Sequence, residues 1–404
     1  MSSDLERALA LLRDRPAWLA APVERRLAQL VTTVENCARP ESAGELAALL
    51  AELEAGAVLE ARSCDSPADR TSDPRIPRFE DSHDGEDDES IRRTECAECG
   101  SEMAPEDSLD VNWKMVCVEC IVTGAARVPV RGDYALLGRL GAGGMGEVYK
   151  AVERPTRRIV AFKVLKDFQT GHDAELAVRF GREIAILSRL DHPNIVRFLA
   201  GGEIDGHLYL VMEFVPGKTL RKVLAGRGRL DPVRTIQVGY QVAKALEHAF
   251  SHKIVHRDLK PENIMIDREG RVRVIDLGLA KPMISAGVSG ITGPDACLGT
   301  IPYMAPEQVE DSRHVDQRAD VYSLGTILYE TASGQRAFTG QTRLALIDRI
   351  RTGSYVPLSE ADPDVPAAIQ AVIERAMARD PQDRFQTPGE MRAAIKALDR
   401  MSRR

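Results

Sequence analysis

Eight consecutive residues of this 404-residue chain, His256-Arg257-Asp258-Leu259-Lys260-Pro261-Glu262-Asn263, collect a carboxylate, an ammonium and an amide at close spacing. That set suits transfer of a phosphoryl group to a hydroxyl. Asp258 can orient an acceptor hydroxyl and take its proton. Lys260 can neutralise charge on the moving group, and Asn263 can hold a magnesium ion that bridges nucleotide phosphates. Four further motifs flank it: Gly141-Ala142-Gly143-Gly144-Met145-Gly146-Glu147-Val148 and Val160-Ala161-Phe162-Lys163 upstream, then Asp276-Leu277-Gly278 and Ala305-Pro306-Glu307 downstream.

The elements that must position these residues are readable from hydrophobic patterning. Leu140 and the glycine run sit between two strand-like stretches, Tyr134–Leu137 and Glu147–Val152. A lone Gly-x-Gly-x-x-Gly is a weak signal, but a loop between strands, not before a helix, argues against a dinucleotide-binding crossover. Lys163 lies in an alternating apolar segment, Ile159–Leu165, and a helix-like stretch, Ala174–Leu190, follows it. Tyr209–Glu213 reads as a strand, Thr235–Ser251 as a helix leading to the Asp258 loop, and Val272–Ile275 as a strand before Asp276.

In this order the motifs resemble those of protein kinases, and the chain resembles the eukaryotic-like Ser/Thr protein kinases of bacteria from Tyr134 to about Leu398. The resemblance implies an α+β, bilobal fold with a small β-rich lobe and a larger helical one. It makes Leu140, Gly141, Ala142, Gly143, Gly144, Met145 and Gly146 the flap over ATP, with Val148 and Ala161 at the adenine. Lys163 then holds the α- and β-phosphates and pairs with Glu183 of helix C; Glu175, in a polar first turn, is the rival partner. Met212 becomes the gatekeeper, and backbone groups of Glu213 and Val215 bond adenine. Asp276 becomes the second Mg²⁺ ligand beside Asn263. Lys260, two residues after the aspartate, implies Ser and Thr acceptors on protein substrates. Asp320 resembles the buried aspartate that braces the catalytic loop, and Arg384 the arginine that pairs with Glu307. Arg257 is a partner for phosphate on the activation segment, where Ser285, Ser289 and above all Thr292 are the candidates. Thr300 supports Asp258 and Lys260. Two positions depart from the usual motifs: Phe162 stands where Ile is frequent, and Leu277 replaces Phe.

Cys96-x-x-Cys99 and Cys117-x-x-Cys120 present four thiols in two tight turns, a spacing suited to one tetrahedral Zn²⁺. Gly100 fits the knuckle turn, and Val111, Trp113 and Val116 are candidates for a small core. The segment 94–124 is read as a zinc-ribbon-like module. Redox pairing and coincidental structural cysteines are the competing readings. Cys37, Cys64 and Cys297 are scattered and carry no assigned role.

Residues 1–60 show apolar positions at helical spacing (Val23, Leu27, Leu30, Val31, Val34; Leu46, Leu49, Leu50, Leu53), with Ser42 and Glu45 as a capping box. They predict a helical region whose partner is unknown. Residues 61–93, dense in acidic residues from Glu80 to Ser90, read as a disordered linker. The net charge of −7 gives no global field for nucleic acid or anionic membrane. No apolar run reaches the roughly 18–20 residues that span a bilayer. The start lacks a signal peptide, so the expected location is the cytoplasm, without the membrane span that many bacterial relatives carry. Back-to-back small-lobe dimers occur among related bacterial kinases, which raises a homodimer. The rival function, a kinase-fold scaffold that has lost catalysis, is disfavoured because Lys163, Glu183, Asp258, Asn263 and Asp276 are all present. A small-molecule kinase of related fold is disfavoured by the long segment ending in Ala305-Pro306-Glu307.

Overall fold

The computed structural model describes residues 94–103, 108–111, 114–126, 128–143, 146–169, 180, 184, 186–277, 300–310 and 315–401. The predicted helical region 1–60 and linker 61–93 lie outside the described residues, as do Gly144, Met145, Glu175, Glu183, Gly278, Ser285, Ser289, Thr292 and Cys297. The described residues fall into two compact units: residues 94–189 with 198–214, and residues 190–197 with 215–401.

The first unit opens with two short antiparallel hairpins and a helix: β1 (Thr94–Glu95) with β2 (Glu102–Met103), β3 (Ser108–Val111) with β4 (Lys114–Cys117), and α1 (Val118–Thr123). There follow β5 (Val130–Arg131), β6 (Tyr134–Gly143), β7 (Gly146–Glu153), β8 (Arg158–Gln169), β9 (Phe198–Ile204) and β10 (His207–Glu213). These form an antiparallel sheet in the order β5-β6-β7-β8-β10-β9. β7 and β8 outrun the sequence expectation at both ends, β6 runs on past Leu137 to take in Leu140–Gly143, which were expected to form a loop, and β10 starts two residues early. Ladder bonds to a neighbour extend past the apolar alternation. Successive side chains of a strand point to opposite faces. One face accordingly buries Tyr134, Leu136, Ala151, Val160, Phe162 and Val211, with Phe162 and Tyr209 stacked at 5.0 Å. The apolar ring of Phe162 has its place in that layer.

The second unit pairs β11 (Lys218–Thr219), β12 (Ile264–Ile266) and β13 (Val272–Val274) in one small sheet. Its helices are α2 (Leu220–Arg227), α3 (Pro232–Ser251), α4 (Pro306–Glu310), α5 (Gln317–Ser333), α6 (Arg343–Thr352), α7 (Leu358–Ala361), α8 (Ala367–Ala376) and α9 (Pro388–Met401). Helix α3 starts three residues before the predicted Thr235. The Asp231 side chain accepts the Arg234 amide, and Pro232 occupies the first turn, where its missing N–H costs nothing. Helix α5 is buried continuously from Ala319 to Ala332, as expected of a helix at the centre of a large lobe. None of the helices searched is long and apolar enough to cross a membrane.

Candidate active site

The loop between α3 and β12 brings together the three residues picked out for catalysis. Lys260 Nζ donates to Asp258 Oδ2 at 2.8 Å and to Thr300 Oγ1 at 2.9 Å. Asn263 ends a 3₁₀ turn, Pro261–Asn263, and its Nδ2 donates to the Asp258 carbonyl at 2.8 Å. With its nitrogen so engaged, the amide turns Oδ1 to the other side, where an oxygen-seeking cation such as Mg²⁺ finds a suitable ligand. The Ile275 amide donates to the Asn263 carbonyl at 2.9 Å, which sets Asp276 beside this loop. His256 closes the ring. Its Nδ1 accepts the Asp258 amide at 3.4 Å, so its Nε2 carries the proton and donates to the Ile275 carbonyl at 3.2 Å. His256 is fully buried, and the sequence reading gave it no role.

Beneath this loop, Asp320 of α5 accepts the His256 amide at 2.7 Å and the Arg257 amide at 2.9 Å. Burial pushes its carboxyl up, and the two amides and the neighbouring Arg257 guanidinium only partly offset this. Arg257 and Asp276 adopt left-handed backbone, φ +65° and +58°, a conformation that costs of order 1–3 kcal/mol and must be held by surrounding contacts. Arg257 adjoins Asp258, and Asp276 is itself the expected second Mg²⁺ ligand.

In the first unit, the β7–β8 ladder runs without a bulge from Gly146 opposite Leu165 to Glu153 opposite Arg158. Val148 lies opposite Lys163, and Lys150 opposite Ala161. Directly opposed residues share a face, so Val148, Ala161 and Lys163 look to one side of the sheet, with Met212 of β10 opposite Ala161. Lys163 is 4% exposed. Gly141 and Gly146, both expected to clear space for phosphates, differ in their surroundings. A Cβ on Gly141 would meet nothing within 4 Å. One on Gly146 would lie 2.0 Å from the Val164 carbonyl oxygen. The β7–β8 packing alone therefore demands glycine at 146. The expected Lys163–Glu183 pair lies outside the described residues. Glu213 ends β10, and Val215 is a buried residue of the second unit.

Residues 134–395 match the family model for the protein kinase domain, about two thirds of the chain. The chain belongs to the protein kinase family. Over 267 residues the kinase domain is 36% identical to the serine/threonine-protein kinase PrkC of Bacillus subtilis, covering 66% of this chain and 40% of that one. It is 39% identical over 260 residues to the serine/threonine-protein kinase PknB of Mycolicibacterium smegmatis, covering 63% and 41%. The chain thus spans about two fifths of the length of these curated relatives. Among solved structures it is similar to the PknI kinase domain (C20A mutant) of Mycobacterium tuberculosis, with a TM-score of 0.53 and 29% identity, covering 67% of this chain and 98% of that one.

Two charge networks brace the helical unit of the kinase domain. Arg384 is fully buried and uses all five of its N–H groups: Nε to Ala378 O, Nη1 to Glu307 Oε1 and Arg318 O, Nη2 to Glu307 Oε2 and Arg379 O, all between 2.7 and 3.1 Å. Its guanidinium also lies over the Tyr322 ring at 4.7 Å. The second network escaped the sequence reading. Arg221 of α2 donates to Glu262 at 2.9 Å and to Glu330 of α5 at 2.8 Å, and it also bonds the Tyr303 hydroxyl. Tyr303 in turn donates to Glu330 at 2.6 Å. It ties the catalytic loop at Glu262 to the central helix at Glu330 through partners 41 and 109 residues from Arg221, with no local signal.

The four sulfurs of Cys96, Cys99, Cys117 and Cys120 lie within 4.8 Å of one another. Cys96 and Cys120 Sγ are 3.8 Å apart, as are Cys99 and Cys117 Sγ. The Cys117 and Cys120 amides each point at a sulfur, Cys96 and Cys117 respectively, at 3.4 Å. Gly100 takes φ +73° and donates to the Cys96 carbonyl, closing the expected knuckle turn. Burial opposes ionisation of Cys96, but amide bonds from Cys117, Cys99 and Glu98 outweigh it and bring the thiol down to about 6. Burial and the neighbouring cysteines push Cys120 up. The surrounding core draws on Val116, as expected, and on Met103, Leu109 and Ile121, which the sequence reading did not name. The side chains of Val111 and Trp113 lie outside the described set.

Proposed function

We propose that the chain is an ATP-dependent protein kinase acting on Ser and Thr of protein substrates, in the cytoplasm, and on its own activation segment with Thr292 the first candidate. The observation that carries this reading is the bonded set of Asp258, Lys260, Asn263 and Thr300, held from below by Asp320. The Asp258 carboxylate orients the acceptor hydroxyl and receives its proton, with its Oδ2 already tied to Lys260. The Lys260 ammonium, fixed between Asp258 and Thr300, counters negative charge gathering at the transferring group. Asn263 Oδ1 and the Asp276 carboxylate are the oxygens that would hold Mg²⁺, whose chemistry is to neutralise charge on the phosphates. On the sheet, Lys163 with Glu183 would fix the α- and β-phosphates, Val148 and Ala161 would pack on adenine, and Glu213 and Val215 would bond it. Residues 140–146 would cover the phosphates.

The four-cysteine cluster is assigned a structural Zn²⁺. Zn–S bonds of about 2.3 Å in a tetrahedron put sulfurs about 3.8 Å apart, which agrees with the two 3.8 Å pairs. A homodimer belongs to the same proposal.

Incubation of the full chain with γ-labelled ATP, Mg²⁺ and casein, followed by phosphoamino acid analysis, tests this function. Label on phosphoserine or phosphothreonine is expected. Nucleotide binding without label on any acceptor, or on the chain itself, would instead support a non-catalytic scaffold.

A further inference from the structure

The cysteine module does not stand apart from the kinase sheet. Cys96, Met103, Leu109, Val116, Cys120 and Ile121 share one buried cluster with Ala135 and Leu137 of β6 and Val152 of β7, and Ile159 of β8 packs against it. Arg154, just past β7, donates from Nε and Nη2 to the Val122 carbonyl in the last turn of α1, at 3.4 and 3.1 Å. Arg157 pairs with Glu119 at 2.9 Å on the exposed rim, a contact worth little by itself.

The face of the sheet that the module covers follows from parity. Val152 is four residues from Val148 on the same bulge-free strand, and Ile159 is four from Lys163 on the next. Residues at even spacing share a face. The module therefore lies against the face that presents Val148, Ala161 and Lys163, about 13 Å along the strand from Val148. Between them on that face is Lys150, its ammonium 5.1 Å from the Phe214 ring centroid.

We propose that the four-cysteine metal centre is a built-in part of the nucleotide-binding lobe, so that metal loading and nucleotide binding are thermodynamically coupled through the β7–β8 ladder. This rests on the Zn²⁺ and ATP assignments above. Without metal, a segment this short loses most of its folding energy. Ala135, Leu137 and Val152, now buried, would then face solvent, and the sheet would lose its packing four residues along β7 from Val148. With metal bound, the module fixes the twist and position of β7, and with them the position of Val148 and of the glycine loop that β6 and β7 flank. The centre would make nucleotide affinity responsive to zinc supply, since the module is held in place only while the ion is bound.

The test uses the full chain, Zn²⁺ as the metal and a fluorescent, non-hydrolysable ATP analogue with Mg²⁺. Two affinities are measured: the analogue for zinc-loaded and chelator-stripped protein, and Zn²⁺, by chelator competition, with and without saturating analogue. Coupling is reciprocal, so both must change by the same factor, expected at about tenfold. Arg154→Ala, which cuts the tie to α1 but keeps all four cysteines, is expected to bind one Zn²⁺ and show a smaller factor. Should stripping unfold the whole chain, the rate of Zn²⁺ loss from native loaded protein still decides: saturating analogue must slow it. One Zn²⁺ bound with both factors equal to one, or an unchanged loss rate, overturns the coupling and leaves the zinc assignment standing. Absence of Zn²⁺ binding by wild type overturns the zinc assignment and the coupling with it. Failure of the analogue to bind loaded protein overturns the nucleotide reading.

Discussion

Replacing Glu307 with alanine should be among the most damaging single changes in the helical unit, and the structure sets its scale. The Arg384 side chain is wholly buried, whereas that of Glu307 is 27% exposed. Glu307→Ala removes two of the five acceptors on the guanidinium together with the carboxylate that balances its charge, leaving three carbonyl bonds to a buried cation. An uncompensated buried charge of this kind costs about 3–5 kcal/mol. At roughly 2–4 °C per kcal/mol for a domain of this size, Tm should fall by about 6–20 °C. Thermal unfolding followed by circular dichroism reads this directly. The reasoning makes a second, less intuitive demand: adding Arg384→Met to Glu307→Ala should recover stability, because it removes the stranded charge. A Glu307→Ala variant within about 2 °C of wild type, or a double variant less stable than the single, would refute the argument that burial of the charge sets the cost.

Three further outcomes follow from particular contacts. Gly146→Ala should lower stability by more than about 3 kcal/mol, since its Cβ would meet the Val164 carbonyl at 2.0 Å, while Gly141→Ala should unfold like wild type; equal Tm values for the two would contradict this. Thr300→Val should slow phosphoryl transfer about tenfold at an unchanged KM for ATP, because it frees Lys260 on one side without touching the nucleotide sheet. His192 is held neutral by burial and by the adjacent His248 and Lys244 charges, against Asp191, with its pKa lowered from 6.5 to about 4. Its Nδ1 accepts the Asn194 amide at 3.1 Å. The folded state thus resists its protonation, and stability should fall as pH drops from about 6.5 toward 4. His192→Asn, which keeps an acceptor but cannot titrate, should flatten that part of the profile in denaturant titrations at several pH values.

The catalytic loop was legible because its chemistry is packed into eight residues, where spacing alone fixes which groups can meet. The pairing of Arg384 with Glu307 and the brace from Asp320 span 77 and 64 residues, and they were reached through resemblance to a family and not through local pattern. Where neither spacing nor resemblance applied, the sequence was silent. Arg221 reads as an ordinary basic residue on a short helix, and only the fold brings Glu262, Tyr303 and Glu330 to it. His256 is visible as a motif letter, but its tautomer and its bridge from Asp258 to Ile275 depend on two backbone groups. The cysteine spacing announced that four thiols would meet at one point. That the cluster packs on the sheet face of Val148 and Lys163 depends on strand parity and register, which a one-residue slip would reverse. The requirement for glycine at 146 likewise comes from a neighbouring strand and not from its own motif.

The most direct test of the central claim compares wild type with Asp258→Asn in a single-turnover assay, with ATP affinity measured in parallel. Asp258 accepts Lys260 and Asn263 contacts in the loop proposed to meet the acceptor, not in the sheet proposed to meet the nucleotide. The account predicts that Asp258→Asn binds Mg-ATP as tightly as wild type and transfers phosphate to Ser or Thr at least about a hundredfold more slowly. Transfer at the wild-type rate by Asp258→Asn would contradict it.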